Sequence, residues 1–384
     1  MCYNHNVKII YIANSRIPTE KAHGYQIAKI CEELSNLGIG VELWVPTREN
    51  EIRKNLFDFY GLKKIFSVRF LSCPDFLSGV RLFGRGGFYL QGLAFFARLL
   101  FERPEKGSWV MTRNSEIAWL FHLKGYKTVY YGHFWPEGKN ILFRFFLRGA
   151  DAVICNSRGT AEAFKEHGFR NVVTIQNGVD LEDFSFKAGK EKLRKELALP
   201  PEKKIALYAG HLYAWKGTDI LFEAAELLKD SPDTVLVLVG GTPDDHEKRA
   251  REAREKGLTN VLLVGHRQKS LIPRYLRSAD VLLLPNVPIS AESIRYTSPI
   301  KMFEYMASGV PIVASALPSI REVLNEENAL LVEAGNAKAL AGGVKRILAD
   351  TELARRISER ARRDVSDFTW RSRAEEIRAF LEKV

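Results

Sequence analysis

The stretch from Tyr296 to Leu324, YTSPIKMFEYMASGVPIVASALPSIREVL, constrains this chain more than any other. Ser298 followed by Pro299 reads as a helix start, with Ser capping the free amides and Pro at the first helical position, where its missing N–H costs nothing. The pattern predicts a short helix from Lys301 to Ser308, stopped by Gly309, and a buried strand over 311–314. A helix entered this way aims unpaired N–H groups and a partial positive charge outward from the sheet, which suits phosphate. One turn on, Glu304 stands among Phe303, Tyr305 and Met306. A carboxylate accepts two hydrogen bonds from a vicinal diol such as a ribose. Phosphate at the helix start and ribose at Glu304 together describe a nucleotide.

At 384 residues the chain is too long for one ordinary domain and suits two of similar size, each able to bury its own core. A strand from Val7 to Ala13 leads into a loop ending at Gly24. Next come a helix with Ile27, Ile30, Cys31 and Leu34 on one face and a strand from Val41 to Val45. Strands and helices keep alternating through Ala152–Cys155, and again from Ile205–Tyr208 to Val281–Leu284, which signals parallel sheets wound with helices. No G-x-G-x-x-G follows the first strand, so the dinucleotide fingerprint is lacking. Between the halves, Lys187 to Lys204 is rich in Lys and Glu, ends in Leu199-Pro200-Pro201, and reads as a linker carrying a short helix.

The four cysteines, Cys2, Cys31, Cys73 and Cys155, form no C-x-x-C pair and read as core thiols of a reducing compartment. No signal peptide and no apolar run of about 20 residues is evident, so a cytoplasmic protein is expected. The charge is concentrated. Between Arg53 and Arg148 sixteen Lys or Arg face six acids, which is +10 of the chain's +11. Aromatics alternate with arginines there. Helical spacing of Phe88, Leu93, Phe95, Phe96, Leu99 and Leu100 predicts a core face. Arg81, Arg85, Arg98, Arg144 and Arg148 are placed to meet anionic lipid at the inner face of a membrane or an anionic acceptor. No nucleic-acid motif accompanies the charge.

Two further places carry chemistry. Gly210 to Gly217, reading GHLYAWKG, is a glycine turn into a helix, and a lysine at such an entrance, Lys216, is well placed for phosphate. His133 falls just past a strand end, where open α/β sheets place ligands. Asp244-Asp245-His246-Glu247 reads as a loop and helix start and not as a metal site.

SPIKMFEYMASGVPIVAS followed by LPSIREVL resembles the donor-binding segment of nucleotide-sugar-dependent glycosyltransferases of the GT-B fold, in particular family 4, the glycosyl transferases group 1. AVICNS, QNGVDLEDF, YAGHLYAWKG and FTWRSRAEEI occur in the order that family shows them. The resemblance implies an α/β architecture of two Rossmann-like domains with parallel sheets facing across a cleft. The acceptor-binding domain would span residues 1–185, the nucleotide-sugar-binding domain 186–367, and a C-terminal helix over 368–384 would pack back on the first. It also implies roles. Lys216 binds the diphosphate and offsets the charge that grows as the glycosidic bond breaks. Glu304 takes the ribose, and His133 approaches the donor sugar. Gly24 lies by the diphosphate, Gly210 and His211 form the glycine turn, Arg267 meets the base, and Thr297, Ser298 and Pro299 form the helix start. Three positions depart from the family pattern: His211 replaces an arginine, Tyr131 an acidic residue, and Tyr296 a second glutamate, with Glu292 the nearest acid upstream. The sugar-contacting role would then pass to backbone amides around Thr297 and Ser298.

The expected activity is transfer of a hexosyl unit from a UDP- or GDP-sugar to a saccharide or lipid-linked acceptor in polysaccharide or glycoconjugate synthesis, with retention of anomeric configuration. No metal or other cofactor is expected, since no D-x-D occurs and Lys216 and the amides at Ser298 would do a cation's work. Two rival readings are a nucleotide-sugar epimerase and a non-catalytic GT-B scaffold.

Overall fold

A computed structural model describes residues 8–77, 86–138 and 140–384. The chain divides into two compact units. One holds the residues up to Asn156, Thr160–Ile175 and Trp370–Val384, and the other holds Ser157–Gly159 and Gln176–Thr369.

The first unit is built on seven parallel strands: β1 (Lys8–Ile12), β2 (Gly40–Pro46), β3 (Ser67–Leu71), β4 (Trp109–Thr112), β5 (Lys127–Gly132), β6 (Ala152–Cys155) and β7 (Val172–Thr174). Their order is β3-β2-β1-β4-β5-β6-β7. The order reverses between β1 and β4, and such a switch point opens a crevice at the carboxyl ends of the strands. Ile12 pairs with Thr112 and Thr112 with Tyr130, so Arg113 and His133, just beyond these ends, reach that edge.

The helix Ala22–Asn36 is buried beyond the single apolar face that its sequence shows, because Lys29, Glu32 and Glu33 are buried with it. Lys29 Nζ pairs with Glu32 at 2.6 Å and Glu33 at 2.8 Å, which lets all three charges leave water. The helix Trp370–Leu381 packs on it, with Trp370 edge-on to Tyr25 at 5.9 Å.

Helix Gly86–Leu99 corrects the sequence reading. Its core stripe is Gln91, Phe95 and Leu99, spaced by four, whereas Phe88 and Leu93 are both 65% exposed and Leu100 is also exposed. Periodicity gives Phe95 and Leu99 correctly, but the apolar positions cover too wide an arc of the helix for it to set the edge of the core face. Arg98 is also not held out for a ligand: with Arg69 it pairs with the buried Glu102, at 2.6 and 2.8 Å. Arg81, Arg85 and the strand residue Val7 lie outside the described residues.

The second unit has six parallel strands: β8 (Lys204–Ala209), β9 (Thr234–Val239), β10 (Val261–Gly265), β11 (Val281–Leu284), β12 (Ile312–Ser315) and β13 (Leu330–Val332). They are ordered β10-β9-β8-β11-β12-β13, with the switch point between β8 and β11. The central strands are continuous apolar runs because helices cover both faces. Alternate residues serve opposite faces. Ile205, Leu207 and Ala209 pack with Met302, Phe303 and Met306, while Ala206 and Tyr208 pack with Leu221, Phe222, Leu340 and Val344.

The stretch 187–204 is not a free linker. Its helix Lys190–Glu196 buries Arg194, which donates to Ser278 O, Pro201 O and Lys203 O and pairs with Asp280 at 2.6 Å. Asp280 also accepts from the backbone N–H of Ile205 at 2.7 Å, so the pair pins this stretch to the start of β8. No described helix is long and apolar enough to cross a membrane.

Candidate functional site

In the second unit the end of β8 runs into Gly210, whose φ of +140° favours glycine. Gly210 N donates to Val239 O at 2.8 Å, and a side chain on Gly240 would strike the Gly210 carbonyl, so the two strand ends close tightly. The turn then carries its own scaffold. Tyr208 Oη donates to His211 O at 2.7 Å, the His211 ring stacks on Tyr213 with centroids 5.0 Å apart, and Thr218 Oγ1 donates to Tyr213 O at 3.0 Å. Lys216 Nζ sits 3.6 Å from the Trp215 ring centroid. Burial pulls the Lys216 pKa down to about 8, against the opposing pull of Glu292. Gly217, with φ +81°, begins the helix Thr218–Leu227.

The second wall is the helix Ile300–Ser308, ended by Gly309 in the left-handed conformation. It enters from β11 and leads into β12, so its N-terminus lies at the carboxyl edge of the sheet. The predicted cap is not there. Pro299 is the N-cap residue in extended conformation, no side chain caps the helix, and Ser298 Oγ instead donates to Gln176 Oε1 at 2.8 Å. Proline disfavours helical geometry in the residue before it, and Gln176 holds the hydroxyl. Asn177 Nδ2 fixes Ser298 further, donating to its carbonyl at 2.6 Å. Tyr305 ties the helix to β8 by accepting from Ala209 N at 2.9 Å.

Glu304 lies in the second turn. Burial raises its pKa; Lys269 and Lys301 oppose the rise, and Asp183 and Asp180 add to it. A carboxylate in such a place gains from a ligand that donates hydrogen bonds. Arg267, two residues past the end of β10, is exposed and donates to Tyr275 Oη at 3.2 Å and to His266 O at 2.9 Å. Asp245 is occupied in a capping box with Thr242.

Two residues that sequence reasoning passed over stand out. Asn286, two residues beyond β11, is fully buried with neither amide atom hydrogen-bonded. Its position just past a strand end beside the switch point was the available signal. Lys301 Nζ is buried without a hydrogen-bond partner, although the residue sits inside the opening motif.

The first unit holds the remaining sequence-predicted residues. Gly24 is in the first turn of its helix and not in the preceding loop, and a side chain there would collide with Tyr60 Oη and Thr19. His133 Nε2 is buried and unbonded, and its ring lies 5.5 Å from that of Tyr131. Burial, then Arg113 and His23, push the His133 pKa well below the usual value, and similar causes bring His23 to about 4. Tyr131 stands where an acid was expected. Its ring is met by two cations, Arg113 at 5.4 Å and Arg373 at 5.3 Å. Lys216, Glu304, His211, Gly210 and the 297–299 turn therefore belong to one unit, and His133 and Gly24 to the other.

Residues 24–183 match the family model described as Glycosyltransferase Family 4, and residues 189–364 match the model described as Glycosyl transferases group 1. The chain is 28% identical over 249 residues to a D-inositol 3-phosphate glycosyltransferase of Xylanimonas cellulosilytica, a match covering 61% of this chain and 57% of that protein. It therefore spans less than two thirds of that relative's length. Its fold is similar to that of the Anabaena protein HepE in complex with UDP-glucose, with a TM-score of 0.74, 18% identity, and coverage of 99% of this chain and 100% of that one. It is likewise similar to sucrose-phosphate synthase of Thermosynechococcus elongatus, with a TM-score of 0.74, 21% identity, and coverage of 98% and 99%.

Proposed function

Because this chain belongs to glycosyltransferase family 4, with the two Rossmann-like units of the GT-B fold, we propose that it transfers a hexosyl unit from a UDP- or GDP-sugar to a saccharide or lipid-linked acceptor. The observation that carries this reading is the convergence of the Gly210–Gly217 turn, Lys216 and the start of the helix Ile300–Ser308 at one sheet edge of the second unit. Both features present positive charge to a diphosphate. The crystallised relative HepE, which binds UDP-glucose, supports UDP as the first base to test.

Each residue then has a task. Lys216 and the first-turn amides hold the diphosphate and stabilise the charge left on it as the glycosidic bond breaks, the work a divalent metal would otherwise do. Glu304 accepts from the two ribose hydroxyls, which offsets the burial of its carboxylate. His133, held neutral at pH 7 by burial, offers an uncharged imidazole at the strand ends of the first unit. The departing phosphate takes the acceptor proton on the face it leaves, so the anomeric configuration is retained.

The test is a thermal-shift screen with UDP, GDP, ADP and their sugar conjugates, with and without EDTA, followed by transfer assays with the stabilising donor. Stabilisation by one base series that survives EDTA, together with transfer lost in Lys216→Ala and Glu304→Ala, is the expected result. Sugar isomerisation in donor alone would point to an epimerase. Donor binding without turnover on any acceptor would point to a scaffold, and absence of any binding would overturn the site.

A further inference from the structure

A lysine amine buried away from water needs an acceptor, and Lys301 has none in the protein. Its Nζ is buried without a hydrogen bond, 3.8 Å from the centroid of the Tyr208 ring. Transfer of an unpaired ammonium into such a place costs several kcal/mol or strips its proton. A structural role would be served as well by methionine, which has similar reach and no charge.

The amine is also aimed at a particular place. A Cβ on Gly210 would lie 2.5 Å from Lys301 Nζ and 3.1 Å from its Cε, so the side chain passes across the bare backbone of the glycine turn that His211 and Lys216 follow. Gly210 is thus needed twice: for its φ of +140° and for the space that this lysine fills.

We propose that Lys301 is the second cation of the diphosphate site, supplying from the helix Ile300–Ser308 the positive charge that His211 does not supply from the turn. This inference rests on the donor-site reading above. The charged and titratable groups around the amine are Lys216 and His211 from the turn, Tyr208 from β8, and Glu304 from its own helix. Lys216 disfavours its protonation and Glu304 favours it, while burial outweighs both. His211 is pressed below its usual pKa, first by burial and then by Lys301 and Lys216, so at neutral pH it is a poor substitute for an arginine. A diphosphate entering the turn brings the anion that Lys301 lacks, and the amine binds a proton from solvent as the phosphate arrives. Two lysines on two elements then grip one ligand, an arrangement that a shorter or neutral residue at 301 does not reproduce.

The experiment is calorimetric titration of UDP, or whichever nucleoside diphosphate stabilises the protein most, into wild type and Lys301→Met at pH 7 in EDTA. Measurement in buffers of different ionisation enthalpy gives the proton uptake. A charge-assisted hydrogen bond of this kind corresponds to a loss of roughly 10- to 100-fold in affinity. Lys301→Met is expected to show that loss, to lower the uptake at pH 7 to the small share that Lys216 takes, and to melt no lower than wild type in the absence of ligand, since only an unpaired amine has been removed. Unchanged UDP affinity in the variant overturns the proposal and leaves the donor site standing. Should the variant fold poorly, Lys301→Gln, which keeps a hydrogen-bond donor and removes the charge, decides: UDP affinity equal to wild type overturns the role of Lys301. If no nucleoside diphosphate binds the wild type, the donor-site reading falls and this inference falls with it.

Discussion

A side chain on Gly217 would run into the backbone carbonyl of Pro285, which closes over the turn from the end of β11. The same glycine has φ +81°, a conformation that costs an L-residue roughly 1–2 kcal/mol. Gly257 in the same unit has φ +58° with open space around it, so its alanine variant pays only the conformational term. Gly217→Ala should therefore lose about 1–3 kcal/mol more than Gly257→Ala in urea denaturation, the overpacking share. Equal losses would mean that the Pro285 carbonyl moves aside freely.

The lowered Lys216 pKa sets a pH dependence with a definite sign. In the free protein the amine is charged below about pH 8 and loses its proton above it. Phosphate favours the charged form, so binding draws the pKa upward. UDP affinity should already fall with pH below pH 8, through the proton that Lys301 takes up, and the fall should steepen above about pH 8 by up to a further tenfold per unit. In Lys216→Arg the guanidinium stays charged throughout, and the step centred near pH 8 should vanish even though the affinity itself is lower. Titrations of UDP between pH 7 and 9.5 read this directly. A step that persists in the arginine variant assigns the titration to another group.

The parts of this architecture written in sequence are those set by local chemistry. Val281–Leu284 is apolar throughout because both faces of its strand are covered, and Gly309 ends its helix because it adopts φ +71°. Where long-range packing decides, local reading failed. Phe95 and Leu99 are core as their spacing predicts, but nothing local says that Phe88, which shares their face, and Leu93 are exposed. Arg194 looked like linker charge because its partner Asp280 is 86 residues away. Ser298 had the composition of a cap, but Gln176, 122 residues earlier, took its hydroxyl. The burial of Lys301 was hidden likewise, since a lysine in a first helical turn is ordinarily a solvated one.

Removal of the Arg194 side chain should destabilise the second unit strongly. Its guanidinium satisfies three backbone carbonyls and the Asp280 carboxylate from a buried position. Arg194→Ala leaves those acceptors with fewer partners, and the loss of one member of a buried pair typically costs about 3–5 kcal/mol. Lys190, which also pairs with Asp280 at 2.7 Å, softens the effect. Denaturant unfolding should place Arg194→Ala at least about 2 kcal/mol below the exposed-site variant Lys192→Ala. A difference under about 0.5 kcal/mol would show that the stretch 187–204 is not held by this pair.

The first unit exposes apolar side chains that a solvated helix has no reason to carry. Phe88, Tyr89 and Leu93 stand out from the helix Gly86–Leu99, with Phe101 just beyond it, and Ile141, Leu142 and Phe145 stand out from the helix Ile141–Leu147, which also exposes Arg144. Apolar rings beside arginines suit the headgroup boundary of an anionic bilayer, where rings bury and guanidiniums meet phosphate. The concentration of +10 of net charge between Arg53 and Arg148 adds attraction that salt screens. The protein should co-sediment with vesicles rich in phosphatidylglycerol and not with pure phosphatidylcholine. Binding should weaken several-fold between 50 and 500 mM salt. Phe88→Ser with Tyr89→Ser should weaken it at every salt concentration, because they remove burial and leave charge untouched, whereas Arg144→Gln with Arg148→Gln should mainly flatten the salt dependence. Equal binding to neutral and anionic vesicles would remove the electrostatic half of this reading, and no binding to either would remove the membrane from it altogether.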